Sequence, residues 1–251
     1  MAAGRRHWYA RMSMFSALVE THWQQAFAGD TTRWREPALT VTIDIRAHAR
    51  FRAILLETGA GARAMLDPAL ADALVAAVGA SLDPVGLRQA LAQAGAPLYG
   101  ADHLFYFPLR DQAGVLAEPP AAHVRALGPD DAAAFAAFES EASEPDRDDA
   151  YVALDHDAAF GAFADGRLVC AASMYRWDES RLMDLGVLTL AGHRGRGHAR
   201  AVVRAIARHA LAQGWEPQYR CQLDNAASVA LAVAAGLSGY GRWDVAPSSP
   251  Q

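Results

Sequence analysis

The run Asp184-Leu-Gly-Val-Leu-Thr-Leu-Ala-Gly-His-Arg-Gly-Arg-Gly-His-Ala199 decides how this chain of 251 residues is read. An apolar strand leads into a basic glycine loop, and the loop opens onto a helix. Gly195 and Gly197 carry no Cβ, so the backbone can curl there and bring its amides close to a ligand. From about His198 to Ala212, apolar residues recur at Ala199, Val202, Val203, Ile206, Ala210 and Leu211, a one-faced stripe of helical period. The free amides and positive dipole end of that helix would therefore meet a phosphate delivered by the loop. There is no Gly-Lys-Ser/Thr ending as in a P-loop and no third glycine at dinucleotide-fold spacing. A bare Gly-x-Gly is also found in ordinary strand-to-helix turns, so the surrounding residues carry the argument.

Arg194-Gly-Arg-Gly197-His-Ala199 fits the Q/R-x-x-G-x-G/A signature, and the chain here resembles the GCN5-related N-acetyltransferases (GNAT). The resemblance continues through the strand Gln218-Tyr-Arg-Cys-Gln222, the helix start Asp224-Asn225-Ala-Ala-Ser228, and Ala235-Gly236-Leu237. It implies an α/β fold with a mixed sheet, an acyl-CoA cleft, and acetyl-CoA as co-substrate. Pyrophosphate donors would come from the backbone of His193, Arg194, Gly195, Arg196, Gly197, His198 and Ala199, with the two arginine charges added. Leu188, Thr189 and Leu190 match the segment that splays from its neighbour and pairs with pantetheine and thioester. Asn225, near Ser228, matches the residue that contacts the pantetheine arm. A buried-strand reading of Val187, Leu188 and Leu190 holds at the same time.

Transfer from a thioester to an amine needs a neutral amine, hence a proton acceptor, and the leaving thiolate benefits from an acid. The resemblance puts a base at Asp184, four residues before Leu188; a strand-end carboxylate bonded to backbone or solvent is the equal alternative. The family's tyrosine acid has no counterpart, because the matching position is Ala232. Tyr219, Tyr175 and Cys221 are the substitutes within reach of the motif, each also readable as a packing residue of its strand. The missing phenol keeps a second reading open: a non-catalytic acyl-CoA-binding sensor or regulatory pseudoenzyme.

Apolar residues make up 52% of the chain and charged ones 20%, which fits a globular and not a disordered protein. With a formal charge of −5 there is no general basic field, and nucleic acid is not an expected partner. The two cysteines, Cys170 and Cys221, sit in apolar strand-like runs, as in a reduced cytoplasmic protein. No apolar run reaches the length of a membrane span. Met1 to Arg11 is basic, but the polar residues from Glu20 to Gln25 break what would be a secretory apolar region.

The signature-bearing region is residues 122–245. It begins with a strand at His123 to Leu127, a helix from Gly128-Pro129-Asp130 to about Glu141, and a hairpin around Asp165-Gly166. Residues 1–115 form an N-terminal accessory α/β region, with a degenerate second copy of the same fold as the lesser alternative. It holds an amphipathic helix over Arg11 to Phe27, a strand over Leu39 to Ile45, and helices opened by Asp67-Pro68 (to about Val78) and Asp83-Pro84. A strand over Asp102 to Leu109 closes it. Gln112 to Ala122, with Gly114, Pro119 and Pro120, is the expected linker.

Asp155-His156-Asp157 lacks the further ligands a metal would need, so a loop hydrogen bond is expected and no metal. The acidic stretch from Glu139 to Asp149 is a solvated loop or an attractor of cationic amines. Trp177 is an acceptor wall or a packing residue. The expected function is transfer of an acetyl group from acetyl-CoA to a small-molecule or peptide amine. Exposed strand edges at the C-terminus are the argument for a homodimer.

Overall fold

The computed structural model describes residues 13–45, 51–77 and 82–248. The basic segment Met1 to Arg11 and the expected helix end at Val78 lie outside the described residues. In the N-terminal half the elements are α1 (Ala17–Ala26), β1 (Thr31–Arg35), β2 (Leu39–Ile43), β3 (Phe51–Thr58), β4 (Gly61–Leu66), α2 (Pro68–Ala77), α3 (Pro84–Gln93) and β5 (Tyr99–Tyr106). Then come α4 (Leu109–Ala117), β6 (Val124–Leu127), α5 (Ala132–Glu141), α6 (Glu144–Ala150), β7 (Ala158–Ala164), β8 (Arg167–Arg176) and β9 (Leu182–Thr189). α7 (His198–Ala212), β10 (Glu216–Gln222), α8 (Ala226–Ala235) and β11 (Ser238–Pro247) complete the described chain.

Local chemistry accounts for several of these. Asp83 Oδ1 accepts the Gly86 N–H at 2.7 Å with Pro84 at the first helical position, and Asp67 Oδ1 accepts the Leu70 N–H at 2.6 Å. Asp165 and Gly166 have φ of +50° and +77°, the left-handed pair that matches the twist of β7 and β8. Gly236, at φ +94°, ends α8 in a left-handed cap.

The eleven strands of the described residues belong to one sheet, in the order β1-β2-β4-β3-β11-β5-β10-β9-β8-β7-β6. Among the described strands, only β2/β4 and β10/β9 pair in parallel. β5, from the N-terminal half, lies antiparallel between β10 and β11, with Cys221 opposite His103 and Trp243 opposite Asp102. β11 in turn pairs with β3 along Gly241 to Pro247. The expected regions 1–115 and 122–245 are thus interleaved in one sheet instead of standing side by side. The C-terminal strand is internal, and β1 and β6 are the sheet's edges, so the edge argument for a homodimer loses its basis.

The expected linker is likewise replaced by structure. α4 runs through Ala117 and buries Val115 against the α7 side of the sheet, where Glu118 is bound by the Arg204 guanidinium and its carbonyl by Arg208. Val202, Val203, Ile206, Ala207 and Ala210 of α7 form that core with β8 and β10. α2 and α3 cover the N-terminal strands with Leu70, Leu74, Leu87 and Leu91. α1 spans the joint: Val19 and Trp23 pack with Leu56, Leu104, Trp177 and Trp243, and Trp23 Nε1 donates to the Tyr106 hydroxyl at 2.9 Å.

Candidate active site

β9 is paired on its two sides over different lengths. With β8 the ladder runs from Met183 opposite Arg176 to Thr189 opposite Cys170. With β10 it stops at Leu185 opposite Tyr219, while β10 goes on pairing with β5 as far as Gln222 opposite Asp102. The sheet therefore forks after Leu185, and the β10-facing backbone edge of residues 186–189 carries no strand. Strand edges left open inside a fold need a partner, and a ligand with amide groups can supply one.

A cleft of about 780 Å³ occupies the fork. It reaches from Asp184, Leu188 and Thr189 past the glycine loop to Tyr219, Cys221, Asn225 and Ser228. His193, Arg194, Gly195, Gly197, His198 and Ala199 line it as well. Leu190 and Arg196 do not: the Leu190 side chain is buried with Phe135, Phe138 and Leu168, and Arg196 lies outside the lining. Arg200 lines the cleft, a residue that the signature does not reach, with its Nε bound to the Ala234 carbonyl at 2.8 Å.

Gly195 and Gly197 have φ of +74° and +82°, and a Cβ on either would meet nothing within 4 Å. Glycine is needed here for its left-handed backbone, and the space before it is the cleft. The His193 and Arg194 amides turn back to Leu190 and Ala191 carbonyls, at 2.8 and 3.4 Å. The N–H groups from Gly195 to Ala199 find no acceptor among the described residues, so the donor set is narrower than the seven residues expected. Arg194 Nη2 contacts Asp146 at 2.9 Å and its Nε donates to the Thr189 carbonyl at 3.2 Å. The His193 and His198 rings stand 6.3 Å apart, each with a buried Nδ1 that has no partner among the described residues. Burial first, then His123, His193 and Arg196, hold the His198 imidazole below its ordinary value.

Asn225 caps α8, its Oδ1 accepting the Ser228 N–H at 3.0 Å. Ala232 is fully buried in the α7 core, so α8 turns Ser228, Leu231 and Ala234 to the cleft. Burial lifts the Tyr219 phenol to about 12 against a hydrogen bond with Ser228, and lifts the Cys221 thiol to about 11 with Asp102 adding to it.

Asp184 sits on the floor of the fork, and both its oxygens are occupied. Oδ1 accepts from Gln218 Nε2 at 3.0 Å and Arg220 Nε at 3.2 Å; Oδ2 accepts from the Tyr175 hydroxyl at 2.9 Å and Arg220 Nη2 at 2.9 Å. Arg220 Nη1 reaches on to Asp102 Oδ2 at 2.5 Å, and its guanidinium lies over Trp177 and Trp243 at 4.6 and 5.5 Å. Trp177 is thereby a packing surface beneath an arginine and lies outside the cleft lining. Gln218 Oε1 is bound by the Tyr106 hydroxyl, so the chain of bonds runs from Trp23 through Tyr106 and Gln218 to Asp184.

His156 Nδ1 meets Ser173 Oγ at 2.8 Å, and Asp157 accepts the Arg176 N–H at 3.0 Å; both are loop-to-strand bonds. Among the described residues no group of three or more His, Cys, Asp and Glu side chains converges on a metal position. No helix among them is long and apolar enough to cross a membrane.

Residues 127–237 match the model of the Acetyltransferase (GNAT) family. This segment is a GNAT acetyltransferase domain. A GNAT-family structure from Novosphingobium aromaticivorans aligns at 20% identity and TM-score 0.47, over 58% of this chain and 62% of that one. A GNAT-family acetyltransferase from Colwellia psychrerythraea aligns at 19% and 0.44, over 60% and 57%. A GCN5-related N-acetyltransferase from Kribbella flavida aligns at 17% and 0.47, over 67% and 65%. The chain therefore spans less than two thirds of each of these. No curated protein matches it. The GNAT domain as matched ends before β11 and excludes β5, although both strands close its sheet beside the cleft.

Proposed function

We propose that the cleft binds acetyl-CoA and that the protein transfers the acetyl group to the nitrogen of a primary amine by direct attack. The observation that carries this is the fork itself: the open backbone edge at residues 186–189 runs straight into the unpaired amides of Gly195 to Ala199. The residues present fit such a ligand. Amides at a helix N-terminus and the Arg194 and Arg200 charges suit a pyrophosphate. The open strand edge, with Asn225 across the cleft, suits the amides of a pantetheine arm. When bound, acetyl-CoA supplies an activated acyl carbon and a thiol leaving group.

In this reading residues 122–245 provide the cofactor cleft, and residues 1–115 provide β5 and the helix α1 that closes over the joint. The cleft carries both signs of charge: Arg194, paired with Asp146, and His193 and Arg200 line it by the glycine loop and α7, Arg220 stands between Asp102 and Asp184, and Asp148 and Asp149 add two more carboxylates to the lining. These carboxylates draw a protonated amine, from a small molecule or a peptide. In this reading Tyr219, its phenol protonated at neutral pH, gives the proton to the departing thiolate in the absence of a tyrosine at 232. Cys221, also protonated, is the second candidate.

The buried Ala232 favours one other reading, a sensor that binds acyl-CoA without turnover. Calorimetric titration with acetyl-CoA and then CoA, followed by thiol release with a panel of primary amines, separates the two. Binding with amine-dependent thiol release is expected; binding without release would establish the sensor, and no binding would reject both.

A further inference from the structure

We propose that Asp102, contributed by the N-terminal strand β5, is the carboxylate that takes the proton of the acceptor amine, and that Asp184 holds Arg220 in place behind it. This rests on the transferase reading above and names the base of that site.

Asp102 and Asp184 both line the cleft. They differ in what is left over for chemistry. Asp184 accepts from Gln218, Tyr175 and two nitrogens of Arg220 through both its oxygens, which fills its acceptor positions. Asp102 accepts only from Arg220 Nη1, through Oδ2, and among the described residues no hydrogen bond reaches Oδ1. A base needs an open lone pair at hydrogen-bond reach of the proton, and of the two carboxylates only Asp102 has one.

The register explains the placement. Asp102 is opposite Gln222 and Leu104 is opposite Arg220, so Asp102 and Arg220 are diagonal neighbours on one face of the sheet. That face is at the fork, where β10 has left β9. Asp102 is thereby carried to the cleft by a strand from outside the matched GNAT domain.

One guanidinium shared by two carboxylates leaves one negative charge, a setting that draws an ammonium to the site and holds its N–H within reach of a carboxylate oxygen. The groups facing Asp102 are Arg220 and Cys221 of β10, Asp184 of β9 and Asp244 of β11, with Tyr175 of β8 facing Arg220 behind them. Burial lifts the Asp102 carboxyl above its ordinary value; Arg220 opposes this, and Asp184 and Asp244 add to it. A carboxylate raised in this way is a better proton acceptor near neutral pH than one pinned low.

The step balances as follows. One proton of the ammonium passes to Asp102 Oδ1 and from there to solvent. The freed lone pair forms the C–N bond, and the C–S bond breaks with its electrons on sulfur. A second N–H proton replaces the one given to sulfur by Tyr219. Amide, thiol and one released proton result.

The test uses the full chain, wild type and Asp102→Asn, with Asp102→Glu as the conservative variant. Calorimetry with acetyl-CoA is expected to give the same affinity for all three, within about twofold. Thiol release with n-alkyl amines and diamines should fall about 100-fold or more near neutral pH in Asp102→Asn, with its acidic limb moved up to the ionisation of the free amine, and recover in part in Asp102→Glu. Methoxyamine, which is neutral at pH 7 and needs no base, should lose far less. Carboxyl NMR of the wild type should show one aspartate titrating above the ordinary range, absent from Asp102→Asn. Retention of alkyl-amine turnover within tenfold with the acidic limb intact would overturn the assignment, as would an NMR titration with no raised aspartate. Acetyl-CoA binding without turnover of any amine by wild type would also overturn it. Absence of acetyl-CoA binding by wild type would instead reject the transferase reading itself.

Discussion

The carbonyl oxygen of Ala150 lies where Gly186 has no side chain: a Cβ on Gly186 would stand 2.0 Å from it, and 3.2 Å from the Tyr151 carbonyl oxygen. Gly186 is the first residue of β9 beyond the fork, so the end of α6 is packed on the face of the strand just where its β10-facing edge opens. Tyr151, which follows, holds a left-handed φ of +46°, and its ring meets Tyr175 at 5.5 Å and His156 at 5.2 Å.

Gly186→Ala must move α6 or β9. Overpacking of this kind costs about 1–3 kcal/mol. The expected outcome is a melting temperature lowered by several degrees, with amine turnover impaired more than acetyl-CoA binding, because the displaced segment carries Asp148, Asp149 and Tyr151. Thermal unfolding and calorimetry check this; an unchanged melting temperature would show that the close approach is absent.

Gly197→Val places a branched side chain in the open space before α7 and forces it into a left-handed backbone. The strain costs about 1–2 kcal/mol, and acetyl-CoA affinity should fall by at least about tenfold. Wild-type affinity in a folded variant would mean that the loop amides are not the phosphate site.

Arg220→Met leaves Asp184 buried without its cation, since the Asp184 side chain is 7% exposed. Removing one partner of a buried ion pair costs about 3–5 kcal/mol. Urea unfolding should show that loss, and the double variant Arg220→Met with Asp184→Leu should regain part of it.

Glu216 gives a pH dependence with a definite sign. It is 2% exposed, and accepts from Gln112 Nε2 at 2.8 Å and from Ser16. Burial lifts its carboxyl above the ordinary value, against those two hydrogen bonds. The folded state therefore binds this proton more tightly than the unfolded state. The stability it contributes is present below the unfolded value and is lost as pH rises through the raised one. Glu216→Gln keeps the shape of the protonated acid and removes the titration. Its stability relative to wild type should rise between pH 4 and pH 8, as measured by urea unfolding; a constant difference would contradict the burial of charge at this site.

Much of the cofactor side was legible in the chain because it is local. Helix α7 follows from its apolar period, the hairpin from Asp165-Gly166, and the loop from two glycines whose backbone needs no distant partner. β3, β4, α6 and β11 are not foreseen from sequence, although Ser143 caps α6 with Pro145 in its first turn and Gly61, at φ +121°, opens β4 after the turn from β3. The expected linker failed as a reading because Gly114 and Pro119 mark the interior and exit of α4, whose burial depends on α7.

By itself, then, the sequence determined the glycine loop, the helix behind it and the family signature, all consequences of dihedral preference and periodicity over a few residues. The tertiary structure decided where β5 goes. That placement puts Asp102 against Arg220, while the packing of the other elements fills the acceptor positions of Asp184, ends the β9/β10 ladder at Leu185 and seats Ala150 on Gly186. Each depends on strands becoming neighbours across long stretches of chain, and the energy that selects such neighbours comes from burying Trp23, Trp177, Trp243 and Tyr106 together, which no local pattern encodes.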